Sequence, residues 1–540
     1  MRLSQRNYLP VIGIFGISLF FFLWRQSSQE IIGFDSRFYL FALEMWRHGP
    51  NWFPTTYHKA YADYPVTSTF LIYIAAHLIG HLNKFTAVLP TAFAVSAMLS
   101  ITYLIGALHE KRLGWYAVFL SLMTFTLLKS ARSLSLDMYP ALITTLCFYL
   151  VHSAHLHQKF LRIFWVFPLL VLGFAFRGPI GLVIPTGVLA FYYVLNKEFK
   201  HFILLGVVSL LLLSLCSFIL LLLAEKTGGF QFVQAVLKMQ VMGRLGASDV
   251  PFYFYFLNSL TQYAVSFPLA IIVIVCFFYQ VFIKKNQPKE TYFLMQLMAW
   301  MMVILIGMSF PGDKKLRYIL AMTPAIALIA AYPLVFSREK IFSKLNAIWV
   351  NLFVCFPGIF SLLITGIFFY TQEKNIILNI DYFYLISILL FFQVINFTIS
   401  FFLPHEIRQF MQILIATISF VLVNIFVFEP IEINLDQAHE VVMQIETKRL
   451  KQHADLIFYK EGSDGLPIKY LINTPTEAVP FFMEDPHQLV NFPRPAFFVA
   501  SYAHFNELPP EVAAEFTVLA DNKMGHRHII VFTKEKAKRN

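Results

Sequence analysis

Residues 8–49 read YLPVIGIFGISLFFFLWRQSSQEIIGFDSRFYLFALEMWRHG, and the break after Trp24 decides how the chain is organised. The run 8–24 is apolar, follows Arg2 and Arg6, and lacks a small-residue cleavage site. It therefore reads as an uncleaved first membrane helix with its N-terminus in the cytoplasm. Asp35 follows a few residues later and heads an amphipathic stretch, 36–46. That position sets a carboxylate at the membrane surface, where it suits a general base; the plainer role for it is to cap the helix behind it.

Composition supports a chain built for the bilayer. Of 540 residues, 58% are hydrophobic and only 14% charged, with 60 Phe and 25 Tyr and a mean hydropathy of +0.64. Soluble domains carry about a quarter charged residues, so a soluble enzyme of this length is excluded. The net charge of +11 falls in short clusters between apolar runs, as topology signals do, and not along one face as nucleic-acid binding requires. Cys147, Cys216, Cys276 and Cys355 each sit inside an apolar run, so no disulfide framework or CxxC metal pair is expected.

A span needs about 20 apolar residues. Thirteen candidates meet or approach this: 8–25, 87–108, 114–131, 138–155, 162–177, 179–195, 202–224, 254–282, 291–310, 317–336, 346–370, 381–403 and 409–428. The basic connections at 109–112, 158–162, 196–201, 284–285, 338–344 and 405–408 all face the cytoplasm only if the short apolar segment 66–82 does not cross. The expected architecture is thus an all-α polytopic membrane domain, 1–428, with an extracytoplasmic loop at 26–86 containing juxtamembrane helices. The polar tail, 429–540, is expected to form a small extracytoplasmic α/β domain, with a helix at 436–451 and β-rich runs at 454–459, 467–472, 496–502, 516–520 and 528–533.

Under this topology the unusual polar residues collect on the outer face. Asp63 stands in Tyr61-Ala62-Asp63-Tyr64-Pro65, just before the non-crossing segment. Arg132 and Asp137 flank a helix mouth near Lys129, and Arg177-Gly178-Pro179 interrupts an apolar run with a guanidinium suited to bidentate phosphate contact. The loop 244–251 holds Arg244 and Asp249. Lys314, Lys315 and Arg317, followed by Tyr318, place three cations outside, against the positive-inside bias, as a phosphate-bearing lipid would require. Each feature has a plainer role: Asp63 as a solvated loop acid, Lys129 as a snorkelling anchor, the 313–317 cluster as surface charge.

In order, Asp35-x-x-x-Tyr39, Asp63-Tyr64-Pro65, Arg132 with Asp137, Arg177-Gly178-Pro179, the 244–251 loop and Lys315-Leu316-Arg317-Tyr318 resemble the C-type (GT-C) membrane glycosyltransferases. The resemblance is to the branch of bacterial aminoarabinose-lipid A transferases and protein O-mannosyltransferases, over about residues 8–340. It implies the GT-C fold and an enzyme that moves a sugar from a polyprenyl-phosphate donor, with inversion, to lipid A, another envelope glycan or a protein acceptor. A basic pI and an unprocessed first helix without an organellar targeting pattern fit a bacterial inner membrane, which puts the C-terminal domain, outside by the parity of the spans, in the periplasm. By the resemblance Asp35 is the catalytic carboxylate, Asp137 a second acid, and Arg177 a phosphate ligand, with Arg37, Tyr39, Lys59, Tyr64, Arg132, Arg244, Lys314, Lys315, Arg317 and Tyr318 around the substrate.

Two positions depart from that pattern. The family's acid-Lys-Pro-Pro is Asp63-Tyr64-Pro65-Val66 here, so the motif lysine is missing and Lys59 or Arg37 has to compensate. The family's metal-binding His falls near Asp249, so a divalent metal would use Asp63 and Asp249; two carboxylates favour Mg²⁺ or Mn²⁺, with Zn²⁺ not excluded. Three other readings stay open: a protein O-glycosyltransferase of the same fold, a lipid-linked sugar transporter or flippase, and an inactive scaffold. Transport predicts ionisable residues near the midplane of broken helices, and almost none are present.

Overall fold

The computed structural model describes residues 8–33, 35–63, 65–239, 250–436, 438–525 and 527–534. The first apolar run forms α1 (Tyr8–Leu23), and the amphipathic stretch forms α2, Asp35–His48, with Asp35 as its first residue. A two-strand hairpin follows, β1 (Thr55–Thr56) and β2 (Lys59–Ala60), then α3 (Thr67–Ile79) and α4 (Lys84–Ala107). Lys84 Nζ at the start of α4 donates to Gln29 Oε1 (3.3 Å) and the Glu30 carbonyl (2.8 Å), just beyond the end of α1. The chain therefore leaves α1 and enters α4 at the same end of the bundle, and the segment between them makes no net crossing. At 13 residues, α3 is about 20 Å long, too short for a span of roughly 30 Å.

The bundle continues with α5 (Lys111–Leu122), bent by 77° into α6 (Phe125–Ala131). There follow α7 (Met138–His157), α8 (Val166–Arg177), α9 (Pro179–Leu195), α10 (Phe199–Leu237), α11 (Phe254–Gln262), α12 (Ser266–Phe278) and α13 (Thr291–Ser309). A 3-10 turn, Leu316–Met322, leads into α14 (Thr323–Ala331), then α15 (Lys340–Glu373), α16 (Tyr382–Phe402), α17 (His405–Val423) and α18 (Glu429–Asp436). The helices carry outward-facing large apolar side chains such as Leu210, Leu211, Leu362 and Phe391, the pattern of a chain whose solvent is lipid.

Among the described residues nine helices are long and apolar enough to cross a membrane, ten if the bent α5–α6 pair is one span. The expected thirteen spans are not confirmed. Segments 8–25 and 179–195 form helices of only 16 and 17 residues, and α7, which runs past the expected 138–155 to His157, carries His152, His155 and His157. The expected span 254–282 is interrupted between α11 and α12. The chain beyond the expected span 202–224 continues as helix, because α10 runs 39 residues through a break at Gly228 and Gly229, where φ of −152° and +65° turn the chain.

Residues 438–534 build a five-stranded sheet in the order β4-β3-β5-β7-β6, from β3 (Asp455–Tyr459), β4 (Phe481–Met483), β5 (Ala496–Ser501), β6 (Phe516–Met524) and β7 (Arg527–Lys534). β3 runs parallel to β4 and β5; β7 is antiparallel to β5 and β6. Alternate residues serve opposite faces: Leu456 and Phe458 pack with α19 (Ala438–Lys451), Ile457 and Tyr459 with the other side. The β-rich run expected at 467–472 is instead a helix, α20 (Leu466–Leu471). Gly465 at φ +87° and Pro467 in the first turn start it, and β4 supplies the strand in its place.

This sheet does not stand apart from the rest. Leu40 and Leu43 of α2 belong to the cluster formed by α19, α20 and one sheet face. Arg37 meets Asp464 (3.4 Å), and Tyr57 donates to the Ser463 carbonyl (2.5 Å). At the far end of the bundle, connections expected to face the cytoplasm meet one another: His109 with Glu290 (2.9 Å), Arg112 with Glu406 (3.0 Å) and His155 with Glu198 (3.0 Å).

Candidate active site

A cavity of about 430 Å³ opens where the segment between α1 and α2, the start of α2, the start of α4, the 125–136 segment, the 3-10 turn at 316 and α18 converge. Asp35, Lys84, Lys129, Arg132, Lys315, Arg317, Glu429 and Glu432 bring five cations and three carboxylates to its walls. Such an excess of positive charge in a partly closed cleft favours an anion.

Asp35 is half-buried, and burial pushes its carboxyl up from 3.8 to about 6. Lys84, a hydrogen bond from the Leu134 backbone, Arg317 and Lys129 oppose that rise but do not cancel it. The result is a carboxylate that is mostly ionised at neutral pH yet able to hold a proton, as a general base requires.

Asp137 lies behind the cavity wall, buried between two guanidinium groups. Arg177 Nε reaches its Oδ1 at 2.8 Å and Arg317 Nε its Oδ2 at 3.1 Å. Tyr318 lies against both arginines, 5.4 and 5.5 Å from their guanidinium carbons, and donates to Asp313 at 2.8 Å. Asp137 thus aims Arg317 at the cavity. Arg177 occupies its place because Gly178 (φ +64°, ψ −150°) turns α8 directly into α9, which starts with Pro179. Gly173 and Gly181 let the two helices touch backbone to backbone, since a Cβ on Gly181 would lie 2.0 Å from the Gly173 carbonyl oxygen.

Arg132 lines the cavity but is committed elsewhere. It chelates Glu429 through Nε and Nη2, the latter at 2.9 Å, and donates to the carbonyls of Phe21, Phe22 and Trp24, closing the C-terminal end of α1. Sequence reasoning placed it around the substrate; its contacts make it the joint between α1, α6 and α18.

Of the other expected site residues among the described ones, Lys315 lines the cavity and the rest lie away from it. Arg37 turns to Asp464 and the Tyr61 ring, the Tyr39 hydroxyl reaches the Leu82 carbonyl at 3.4 Å, and Lys59 is exposed on β2. Lys314 donates to the Val250 carbonyl at 3.1 Å, and Lys315 meets Asp313 at 3.4 Å while lining the cavity. Asp63 is half-buried near Tyr61. Tyr64, Arg244 and Asp249 lie outside the described residues, so the pairing of Asp63 with Asp249 does as well. Among the described residues the group able to hold a metal ion is a different one, Glu44, His48 and His58.

Sequence reasoning missed Lys84, Glu429 and Glu432. Lys84 is a lysine at the start of an apolar helix, and under the expected topology it departs from the positive-inside pattern as 314–317 does. The two glutamates fell to the tail because composition changes at 429, although the helix continues through that point.

No family model and no curated protein matches this chain by sequence. Two solved structures of ArnT from Cupriavidus metallidurans match its shape. The apo form superposes with a TM-score of 0.70 at 12% identity, covering 98% of both chains. This chain has the fold of ArnT. The form of ArnT bound to undecaprenyl phosphate gives 0.68 at 14% identity over the same 98% of each chain. The fold expected from the ordered motifs is therefore the one observed: a multi-pass helical membrane protein with a small C-terminal sheet region.

Proposed function

We propose that this chain is an integral-membrane glycosyltransferase that takes a sugar from a polyprenyl-phosphate donor and passes it, with inversion, to an envelope acceptor. The observation that carries the reading is the cavity itself, in which a base-competent carboxylate, Asp35, faces Lys84, Lys315 and Arg317. Support comes from the ArnT fold and from the capture of undecaprenyl phosphate by the ArnT of Cupriavidus metallidurans.

In this mechanism Asp35 accepts the proton of the acceptor hydroxyl as its oxygen attacks the anomeric carbon. The bond from that carbon to the phosphate oxygen breaks, and the phosphate leaves with the electron pair. Lys84, Lys315 and Arg317 stabilise the developing charge in a site partly closed to water. Asp137 and Arg177 are positioning residues that hold Arg317. Lys84, not Lys59 or Arg37, takes the role of the missing motif lysine.

The acceptor we favour is lipid A or another envelope glycan on the periplasmic face of a bacterial inner membrane, following the aminoarabinose branch; a protein hydroxyl is the alternative within the same chemistry. The test is mass spectrometry of lipid A and polyprenyl-phosphate sugars from cells carrying the wild type or Asp35→Asn. A sugar mass on lipid A in the wild type alone is the expected result. A polyprenyl-phosphate sugar that accumulates in the variant with lipid A unchanged moves the acceptor elsewhere. No difference in either pool removes the transferase reading.

A further inference from the structure

A second group of polar side chains lies outside the cavity, where α2, the β1–β2 hairpin and the loop before β4 meet. Glu44 and His48 are four residues apart on α2 and so share one face. His58 comes from the hairpin turn. Each of these three residues offers one ligand atom, and the three atoms lie within 4.8 Å of one another. Glu477, from the loop before β4, joins them: its Oε1 lies 2.8 Å from His48 Nε2 and 3.3 Å from His58 Nε2.

The backbone is bent to bring His58 there. Tyr57 and His58 fill a two-residue turn, shown by the pairing of Thr56 with Lys59, and both have left-handed φ, +55° and +61°. Turns of this kind normally use Asn-Gly, and bulky residues held at such φ values call for a reason in the surrounding structure. The bend puts the His58 ring 4.6 Å from that of His48, and the His58 backbone N–H donates to Glu44 Oε2 at 3.3 Å.

We propose that Glu44, His48, His58 and Glu477 form a zinc-type divalent metal site that fastens the C-terminal region to α2. Two imidazoles with two carboxylates suit a borderline ion better than Mg²⁺. Zinc bonded to nitrogen or oxygen at about 2.0–2.1 Å in a tetrahedron sets its ligand atoms roughly 3.4 Å apart, against the 4.8 Å limit that encloses the ligand atoms of Glu44, His48 and His58 and the 2.8 and 3.3 Å from Glu477 to the two imidazoles. His48, His58 and Glu477 are 39–44% exposed, which gives the ion a route in. The site ties together three segments far apart in the chain, and one of them, α2, begins with Asp35. It shares no residue with the pair Asp63 and Asp249.

The test uses the full-length protein in detergent, stripped with EDTA and titrated with zinc chloride by calorimetry, with thermal midpoints measured in zinc and in EDTA. One zinc per chain and a higher midpoint in zinc are expected. His58→Asn keeps a residue that tolerates left-handed φ while removing the imidazole. It should fold in EDTA as the wild type does, bind zinc at least about tenfold more weakly, and show no zinc-dependent rise. His48→Ala should lose zinc in the same way, whereas Asp63→Asn should retain it. Zinc binding unchanged in both histidine variants, or no zinc effect on the wild type, would overturn the proposal and leave a plain hydrogen-bonded cluster. Neither result bears on the transfer chemistry, because the readouts are binding and stability.

Discussion

At Asp35 one physical cause, burial, has opposite consequences for activity and stability. With its carboxyl raised to about 6, kcat/KM should fall about tenfold per pH unit below 6 as the base is protonated. Asp35→Asn should lower turnover by a factor of about 100 or more and abolish that acid limb; a limb retained in the variant assigns the titration to another group. For stability, a carboxyl whose folded pKa lies above its ordinary value binds its proton more tightly when folded. Its contribution is therefore favourable at low pH and is lost as pH rises from about 4 to about 6. At neutral pH Asp35→Asn should accordingly unfold at a higher temperature than the wild type. A lower midpoint would show that the charged carboxylate is a net structural asset. Arg132 presents the contrary case, since its charge is neutralised by Glu429 and by helix carbonyls. Removing one partner of a buried pair costs about 3–5 kcal/mol, so Arg132→Met should lower the thermal midpoint strongly. The double variant with Glu429→Met should recover much of the loss.

Among the elements, the junction of α8 and α9 governs where Arg177 lies. Glycines at 173 and 181 allow backbone contact, and an added methyl at 181 would meet the Gly173 carbonyl oxygen at 2.0 Å, an atom with no freedom to turn away. Gly181→Ala should therefore separate the two helices, at a cost of about 1–3 kcal/mol, and carry Arg177 away from Asp137. Asp137, which also holds Arg317, then loses one of its two guanidinium partners, so activity should fall more than the change in thermal midpoint alone explains. Gly106 and Gly114 make a similar contact between α4 and α5. That contact holds no cavity residue, so Gly114→Ala should affect stability and leave the Asp35 pH profile in place. Parallel melting and transfer assays on the two variants separate these effects.

For the whole molecule, α2 joins the membrane bundle to the C-terminal region, with Asp35 at the cavity and Leu40 and Leu43 in the core shared with the sheet. Deleting 438–540 should expose that apolar face and weaken the hold on α2. Hydrogen exchange measured by mass spectrometry should then show faster exchange across 35–48, with α4 and α13 unchanged. Equal protection of α2 in the shortened chain would mean that the bundle alone fixes the carboxylate.

Much of this was legible in the sequence, because the bilayer imposes length and polarity on every helix that crosses it. The apolar runs, the short helix within 66–82 and the polar tail that folds into a sheet region follow from local composition and charge. The motif order pointed to the fold that the ArnT comparison then showed. What a residue touches was decided only by tertiary structure. Arg132, Arg177 and Arg317 look alike as arginines at helix mouths, yet the first closes α1, the second holds Asp137 and the third lines the cavity. Lys84, Glu429 and Glu432 become cavity residues because helices hundreds of positions apart end at one place. Glu44, His48, His58 and Glu477 meet for the same reason: sequence periodicity reports which face of an element a residue occupies, and only packing between elements reports what stands opposite that face.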